Sequence, residues 1–240
     1  MKKSFCLLFG VLLLSVTSIA WAQELSLDEI LKNHYEIMGI NKQLKINTFI
    51  SSGKMIQQGM EFPYTIYQKR PGLVRLEIDF QGQKIIQAVN EETAWYIHPL
   101  MGITDATDMP EDDVKEMRKR YGDIEGPLYN WKEKGHQLEL IGTDEMEGTE
   151  VYKLKLTNAD ETISEYFIDS ESFVLLKSSD EGPQGKTENL YSNYQEKDGF
   201  IYFGNIDINF SGMTVMTITI ENIEFNADID NSLFARPVKE

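Results

Sequence analysis

The chain is nearly without cysteine, and its one example, Cys6, lies close to the N-terminus. Disulfides, thiolate metal sites and cysteine nucleophiles are thereby excluded from everything downstream. Histidine is almost as scarce. His34, His98 and His136 are the three present, and no HExxH or His-x-His spacing joins them, so the common zinc signatures are missing. Neither a G-x-S-x-G elbow nor a phosphate-cradling glycine loop occurs. Basic charge is short too: 23 Lys and Arg stand against 39 Asp and Glu, a formal net charge of −16. Nucleic acid is not an expected partner, because phosphate binding draws on clustered Lys and Arg. Adsorption to anionic lipid headgroups is disfavoured on the same ground. The acidic run Asp105, Asp108, Glu111, Asp112 and Asp113 lacks the spacing and glycine of an EF-hand loop. The reading therefore assigns no catalytic residue, no metal and no cofactor; the chain is not expected to be an enzyme.

The N-terminus has the layout of a secretory signal. Lys2 and Lys3 precede an apolar run from Phe5 to Val16, which is too short to span a membrane, and Ala20-Trp21-Ala22 supplies a small-x-small cleavage site. Residues 1–22 are expected to be removed, leaving 23–240 as one domain in the periplasm. Gln23 stands where a lipoprotein signal would place cysteine, so a soluble product is expected rather than a lipid-anchored one. With 41% hydrophobic and 26% charged residues the remainder suits a folded globular chain.

Hydrophobic periodicity divides the rest. Leu27, Ile30, Leu31, His34, Tyr35 and Met38 form one helical stripe over 26–38, with Ser26 and Glu29 at capping-box spacing and Gly39 behind. The period then changes to two. Strands are predicted at 46–58, 61–69, 73–81, 83–90 and 93–98, and again at 136–142, 150–157, 161–168, 172–179, 187–196, 200–210 and 212–225. Short turns such as Gln58-Gly59, Gln81-Gly82 and Ser211-Gly212 make neighbours antiparallel. Between the two sets, residues 109–133 break the pattern. Pro110 fits a first helical position, acids at 111–113 fit the first turn, and Lys115, Arg118, Lys119 and Arg120 fit the end of a helix. A second short helix is predicted around Ile124, Leu128 and Trp131, and a last helical turn near Asp230–Phe234. The expected class is β-rich α+β: a single unclosed antiparallel β-barrel of about eleven or twelve strands, with helices covering its concave face.

Three segments resemble the LolA-like outer-membrane lipoprotein-sorting, or lipoprotein carrier, family. Lys69-Arg70-Pro71-Gly72-Leu73-Val74-Arg75 is similar to that family's K-R-P-G start of a strand. Asn90 to Pro99 (NEETAWYIHP) resembles its Trp-containing hairpin, although Asn90-Glu91-Glu92 replaces the usual Asp-Gly turn. Asp230 to Pro237 (DNSLFARP) resembles its closing D-x-S-x-F-x-x-P. The resemblance implies an apolar cavity under a helical lid, an acylated lipoprotein or lipid as ligand, and membrane donor and acceptor proteins as further candidate partners. It also implies that Arg70 is a lid contact. The alternative function in the same fold is an envelope sensor or adaptor that reads lipid or lipoprotein without transporting it. A monomer is expected.

Acyl-chain binding needs no catalytic motif. A buried methylene contributes about 0.8 kcal/mol, so a sixteen-carbon chain gains on the order of 12 kcal/mol before ordering costs. A net hydrogen bond contributes about 1 kcal/mol. Apolar area therefore decides affinity. The residues expected to line the cavity are Phe62, Tyr64, Ile66, Leu76, Ile78, Ile86, Trp95, Ile97, Met117, Leu128 and Trp131. Packing in a filled core is the competing role for each of them.

Overall fold

The computed structural model describes residues 25–182 and 185–237; the expected signal peptide lies outside the described residues. Helix α1 (Leu27–Met38) starts on a complete capping box, Ser26 and Glu29 exchanging hydrogen bonds, and ends on left-handed Gly39. A short α2 (Ile40–Gln43) follows at once. The first strands are β1 (Thr48–Gln57), β2 (Met60–Lys69), β3 (Leu73–Phe80), β4 (Gln83–Val89), β5 (Ala94–His98) and β6 (Ile103–Asp108). Helix α3 (Glu111–Tyr121) interrupts. The second set is β7 (Gln137–Met146), β8 (Thr149–Thr157), β9 (Ile163–Asp169), β10 (Leu175–Gly182), β11 (Gly185–Lys197), β12 (Phe200–Phe210) and β13 (Met213–Phe225).

All 13 strands form one antiparallel sheet in the order β6-β5-β4-β3-β2-β1-β13-β12-β11-β10-β9-β8-β7. Each half is a simple meander, and the halves join where the first strand pairs with the last, Phe49 opposite Phe225 and Met55 opposite Ile218. The sheet does not close, so β6 and β7 are its two edges and residues 109–136, with α3, connect one edge to the other. The unclosed barrel with covering helices is as expected from sequence. The strand count is higher, because β6 (Ile-Thr-Asp-Ala-Thr-Asp) is polar, short and largely exposed and carries no alternation to read. The second short helix is not formed: the backbone from 123 to 135 runs in turns, with Asn130, Gly126 and Gly135 at positive φ, and a helix cannot continue through them. Pro110 sits just before α3 as its N-cap rather than inside it.

Several hairpins turn on an X-Gly pair with both residues at positive φ: Gln58-Gly59, Gln81-Gly82, Glu147-Gly148, Asp198-Gly199 and Ser211-Gly212. That is the geometry whose twist matches paired strands. At the seam between the halves, the register shifts between Ser52 and Gly53, and a Cβ on Gly53 would lie 1.9 Å from the carbonyl oxygen of Thr219. Glycine is therefore required where β13 crosses closest to β1.

Candidate functional site

Directly paired residues of an antiparallel ladder point to the same face. Tyr64 pairs with Ile78, which pairs with Ile85; Ile66 pairs with Leu76; Val74 pairs with Val89. The same face continues across the seam from Phe62 through Met55, Ile218, Ile206 and Tyr191. It ends on Ser178, Tyr166 and Leu154 in the second half. This is the inner face, and both helical segments lie against it.

Two apolar clusters fill it. In the first, Met55, Tyr64, Ile66, Val74, Leu76 and Val89 pack against Met117 of α3, with Phe62, Ile78, Val114 and Tyr121 alongside. Burial pushes the Tyr64 hydroxyl up to about 12, so it stays protonated. In the second, Ile30 and Leu31 of α1 and Leu128 of the segment after α3 pack on Leu138, Leu154, Leu156, Tyr166 and Ile168, with Trp131 alongside. Between the clusters, Ile206, Ile208, Met216 and Ile218 on the inner row are only half-buried. Helix α3 thus lies across the sheet from β3 and β4 towards β10, with Lys119 3.1 Å from the Asp180 carboxylate. Two other polar contacts hold its end: Gln68 Nε2 donates to the Tyr121 carbonyl at 2.5 Å, and the Arg118 guanidinium donates to the Asn90 carbonyl at 3.1 Å.

Arg70 contacts the lid segment by way of Glu125. Its Nη2 is 2.5 Å from a Glu125 carboxylate whose side chain is only 7% exposed. The same guanidinium donates from Nε to the Ile46 carbonyl at 2.7 Å. The side chain therefore ties the segment after α3 to the chain between α2 and β1.

Eight of the eleven apolar residues singled out from sequence reach the inner side: Phe62, Tyr64, Ile66, Leu76, Ile78 and Met117 in one cluster, Leu128 and Trp131 in the other. The remaining three are corrected by the register. Trp95 pairs with Ala88, which pairs with Arg75, and Ile86 pairs with Ile97 and with Glu77, so Trp95, Ile86 and Ile97 point to the outer face. The turn at residues 90–93 sets that parity, which alternation inside a five-residue strand cannot. Trp95 is fully buried there: its indole Nε1 donates to the Phe234 carbonyl at 3.2 Å, and Arg75 lies over its ring at 5.5 Å. The closing segment 230–237 is what covers it, and a hollow of about 690 Å³ opens beside that segment, lined by Ile50, Tyr67 and Arg75. A second hollow of about 470 Å³ separates α1 from residues 129–133. Neither lies beneath α3.

Sequence reasoning missed the second half of the inner face. Ile206, Ile208, Met216 and Ile218 alternate with polar residues along β12 and β13 and were legible by period two. The polar part was not: Ser164 donates to Asp180 at 2.5 Å, and Ser178 and Tyr191 share a hydrogen bond of 2.9 Å. The histidines do not gather. His34 is buried under α1 with Nδ1 donating to the Phe173 carbonyl at 2.8 Å, whereas His136 accepts from the Ala159 amide. Among the described residues, no group of three or more His, Cys, Asp or Glu is placed to hold a metal ion.

This architecture, an unclosed antiparallel barrel with helices against its inner face, is the LolA-like fold. The chain superimposes on a LolA superfamily protein from Nitrosomonas europaea with a TM-score of 0.59 at 13% identity, covering 88% of this chain and 98% of that one. A DUF1329 family protein from Desulfovibrio piger gives 0.60 at 12% identity, covering 86% and 97%. A domain from Vibrio parahaemolyticus described as an outer membrane lipoprotein-sorting protein gives 0.55 at 11% identity, covering 85% and 97%. No family model matches the chain, and no curated protein matches it.

Proposed function

We propose that the protein is a periplasmic carrier that holds the acyl chains of lipids or lipoproteins against its inner face, beneath α3. The observation that carries this reading is the apolar inner face that runs from Ile85, Ile78 and Tyr64 to Phe62, Met55, Ile218 and Ile206, roofed at one end by a helix and half-open in the middle. A packed core needs no such half-open stretch. An acyl chain laid along it would complete the burial of Ile206, Ile208, Met216 and Ile218, at about 25 cal/mol for each Å² of apolar surface removed from water. Met117 and Val114 occupy the space nearest β3 and β4, so a ligand that extends under α3 must displace it. The description of the Vibrio parahaemolyticus domain as lipoprotein-sorting is in keeping with this reading. No catalytic step is part of it.

The test is binding of a fluorescent fatty acid to the purified protein, with native mass spectrometry of the same sample. Ile78→Glu, on the inner face, is expected to weaken binding about tenfold or more, whereas Glu77→Gln, on the outer face, leaves it unchanged. Absence of uptake of any acylated ligand by the wild-type protein, or equal loss in both variants, would overturn the reading.

A further inference from the structure

The turns of the barrel fall on two rims, and a run of four adjacent hairpins on one of them is uncharged. One rim carries, side by side in sheet order, the hairpins β5–β6, β3–β4, β1–β2 and β12–β13. Their tips are uncharged over residues 97–104, 80–83, 55–60 and 208–220. In a chain of net charge −16 these are long neutral stretches. The same tips hold most of the exposed large apolar side chains: Met101 at 69%, Met213 at 68%, Met60 and Leu100 at 50%, and Val215 at 39%. Of the flanking charges, Lys54 is paired with Glu61 at 2.8 Å and Lys84 with Glu77 at 2.7 Å, and the Asp79 carboxylate accepts from the Gly82 amide at 3.1 Å. Further along the same rim the β10–β11 hairpin carries Glu181 and Lys186 and the β8–β9 turn carries Asp160 and Glu161, and on the opposite rim every turn carries charge, among them Glu91 and Glu92, Glu145 and Glu147, Asp169 and Glu171, and Asp198.

We propose that this neutral, methionine-rich stretch of the rim is a membrane-contact surface that dips its four hairpin tips into the interfacial region of an uncharged lipid bilayer. Eight adjacent strands place four tips along roughly 35 Å of rim. Side chains at such tips reach the headgroup–acyl boundary without carrying a charge into it. The tips are separate prominences: a Cβ on Gly59, Gly82, Gly102 or Gly212 would meet nothing within 4 Å. A fluid lipid surface moulds itself around separate prominences, whereas a protein partner would need a matching set of hollows. Methionine and leucine supply transferable apolar surface. The acidic remainder is repelled by anionic lipid, and the uncharged tips offer no cationic attraction in return. The bilayer best suited is therefore zwitterionic, and the acids of the opposite turns, such as Glu91, Glu147 and Asp198, face away from it. Behind the tips, Phe62 and Phe80 stack at 5.4 Å on the inner face, so the apolar surface is continuous from the rim into the barrel.

The experiment is flotation of the purified protein, without added cargo, on phosphatidylcholine vesicles and on vesicles rich in phosphatidylglycerol at low salt. Expected is binding to the first, with about tenfold less to the second. The double substitution M101D/M213D is expected to reduce phosphatidylcholine binding about tenfold or more while leaving the melting temperature unchanged, because both side chains are exposed. Glu91→Gln on the far rim should bind as wild type. Absence of flotation, equal flotation of the double variant, or concentration-dependent self-association abolished by M101D/M213D without vesicle binding would each overturn the proposal. Acyl-chain uptake is read separately by the fatty-acid assay, so the rim and the carrier reading fail independently.

Discussion

Arg70 and Glu125 meet at 2.5 Å where the carboxylate is nearly buried. Removing the guanidinium would leave that carboxylate without its charged partner. Arg70→Leu is therefore expected to cost about 1–3 kcal/mol by chemical denaturation, and Glu125→Gln less, because a neutral amide tolerates the site better. If the pair also fastens the lid, the off-rate of a bound fatty acid rises in Arg70→Leu; equal off-rates would confine Arg70 to a structural part. His34 gives the residue scale a pH dependence. Burial lowers its pKa, against the smaller opposing effect of its hydrogen bond to Phe173. The imidazole therefore takes up a proton more readily in the unfolded chain than in the folded one. Its contribution to stability is complete above the ordinary histidine value of about 6.5 and is lost progressively as pH falls below it. A His34→Gln variant should show a shallower decline in melting temperature between pH 7 and pH 5 than the parent. Identical slopes would show that other groups dominate.

At the scale of elements, the seam β1–β13 brings together residues from opposite ends of the chain and contains a close approach that admits no side chain. Gly53→Val is expected to shift or break the register there and to cost more than about 3 kcal/mol, since the Thr219 carbonyl cannot retreat without parting the strands. Thermal unfolding checks it, and a wild-type melting temperature would mean the seam relaxes freely. That seam was not readable in sequence: period two identifies the strands, and X-Gly pairs identify the hairpins, but nothing local in Thr48–Gln57 names Met213–Phe225 as its neighbour. What was readable followed from strong local signals. The capping box at Ser26 and Glu29 marked α1, and the charge order along 111–120 marked α3. Failures occurred where such signals are weak. Leu128 and Trp131 are spaced as a helix would space them, yet glycines at 126 and 135 and the turn at Asn130 bind them into a loop packed on the second cluster. Trp95 looked like a cavity residue because it is large and apolar, and its parity was decided by a turn rather than by its own strand. Arg70 stood out only through its family-like neighbourhood; its partner Glu125 carried no signal of its own.

For the molecule as a whole, the decisive feature is that the middle of the chain, not an end, spans the opening. Joining the first and last strands in the centre of the sheet leaves β6 and β7 as edges, and residues 109–136 pass between them. Helix α3 can then move without unpairing a strand, because its ties to the sheet are side-chain packing and a few polar contacts, among them Lys119–Asp180 and Arg118 to Asn90. Within it, Met117 is the side chain most deeply set, at 5% exposure. Met117→Asp places an unpaired acid against the apolar row, a change of about 2–4 kcal/mol if α3 stays seated. Lifting the helix relieves that penalty. The cost should therefore appear as an opened lid rather than an unfolded barrel: strand content by circular dichroism unchanged, faster proteolysis within 109–136, and stronger binding of an apolar dye to the uncovered inner face. Combining it with Lys119→Ala should add little, since a helix already released has no ion pair left to lose. A cooperative collapse of the sheet in Met117→Asp, or unchanged proteolysis and dye binding, would show instead that α3 is an integral part of the core. In that case an acyl chain would have only the half-open stretch along β12 and β13 to occupy.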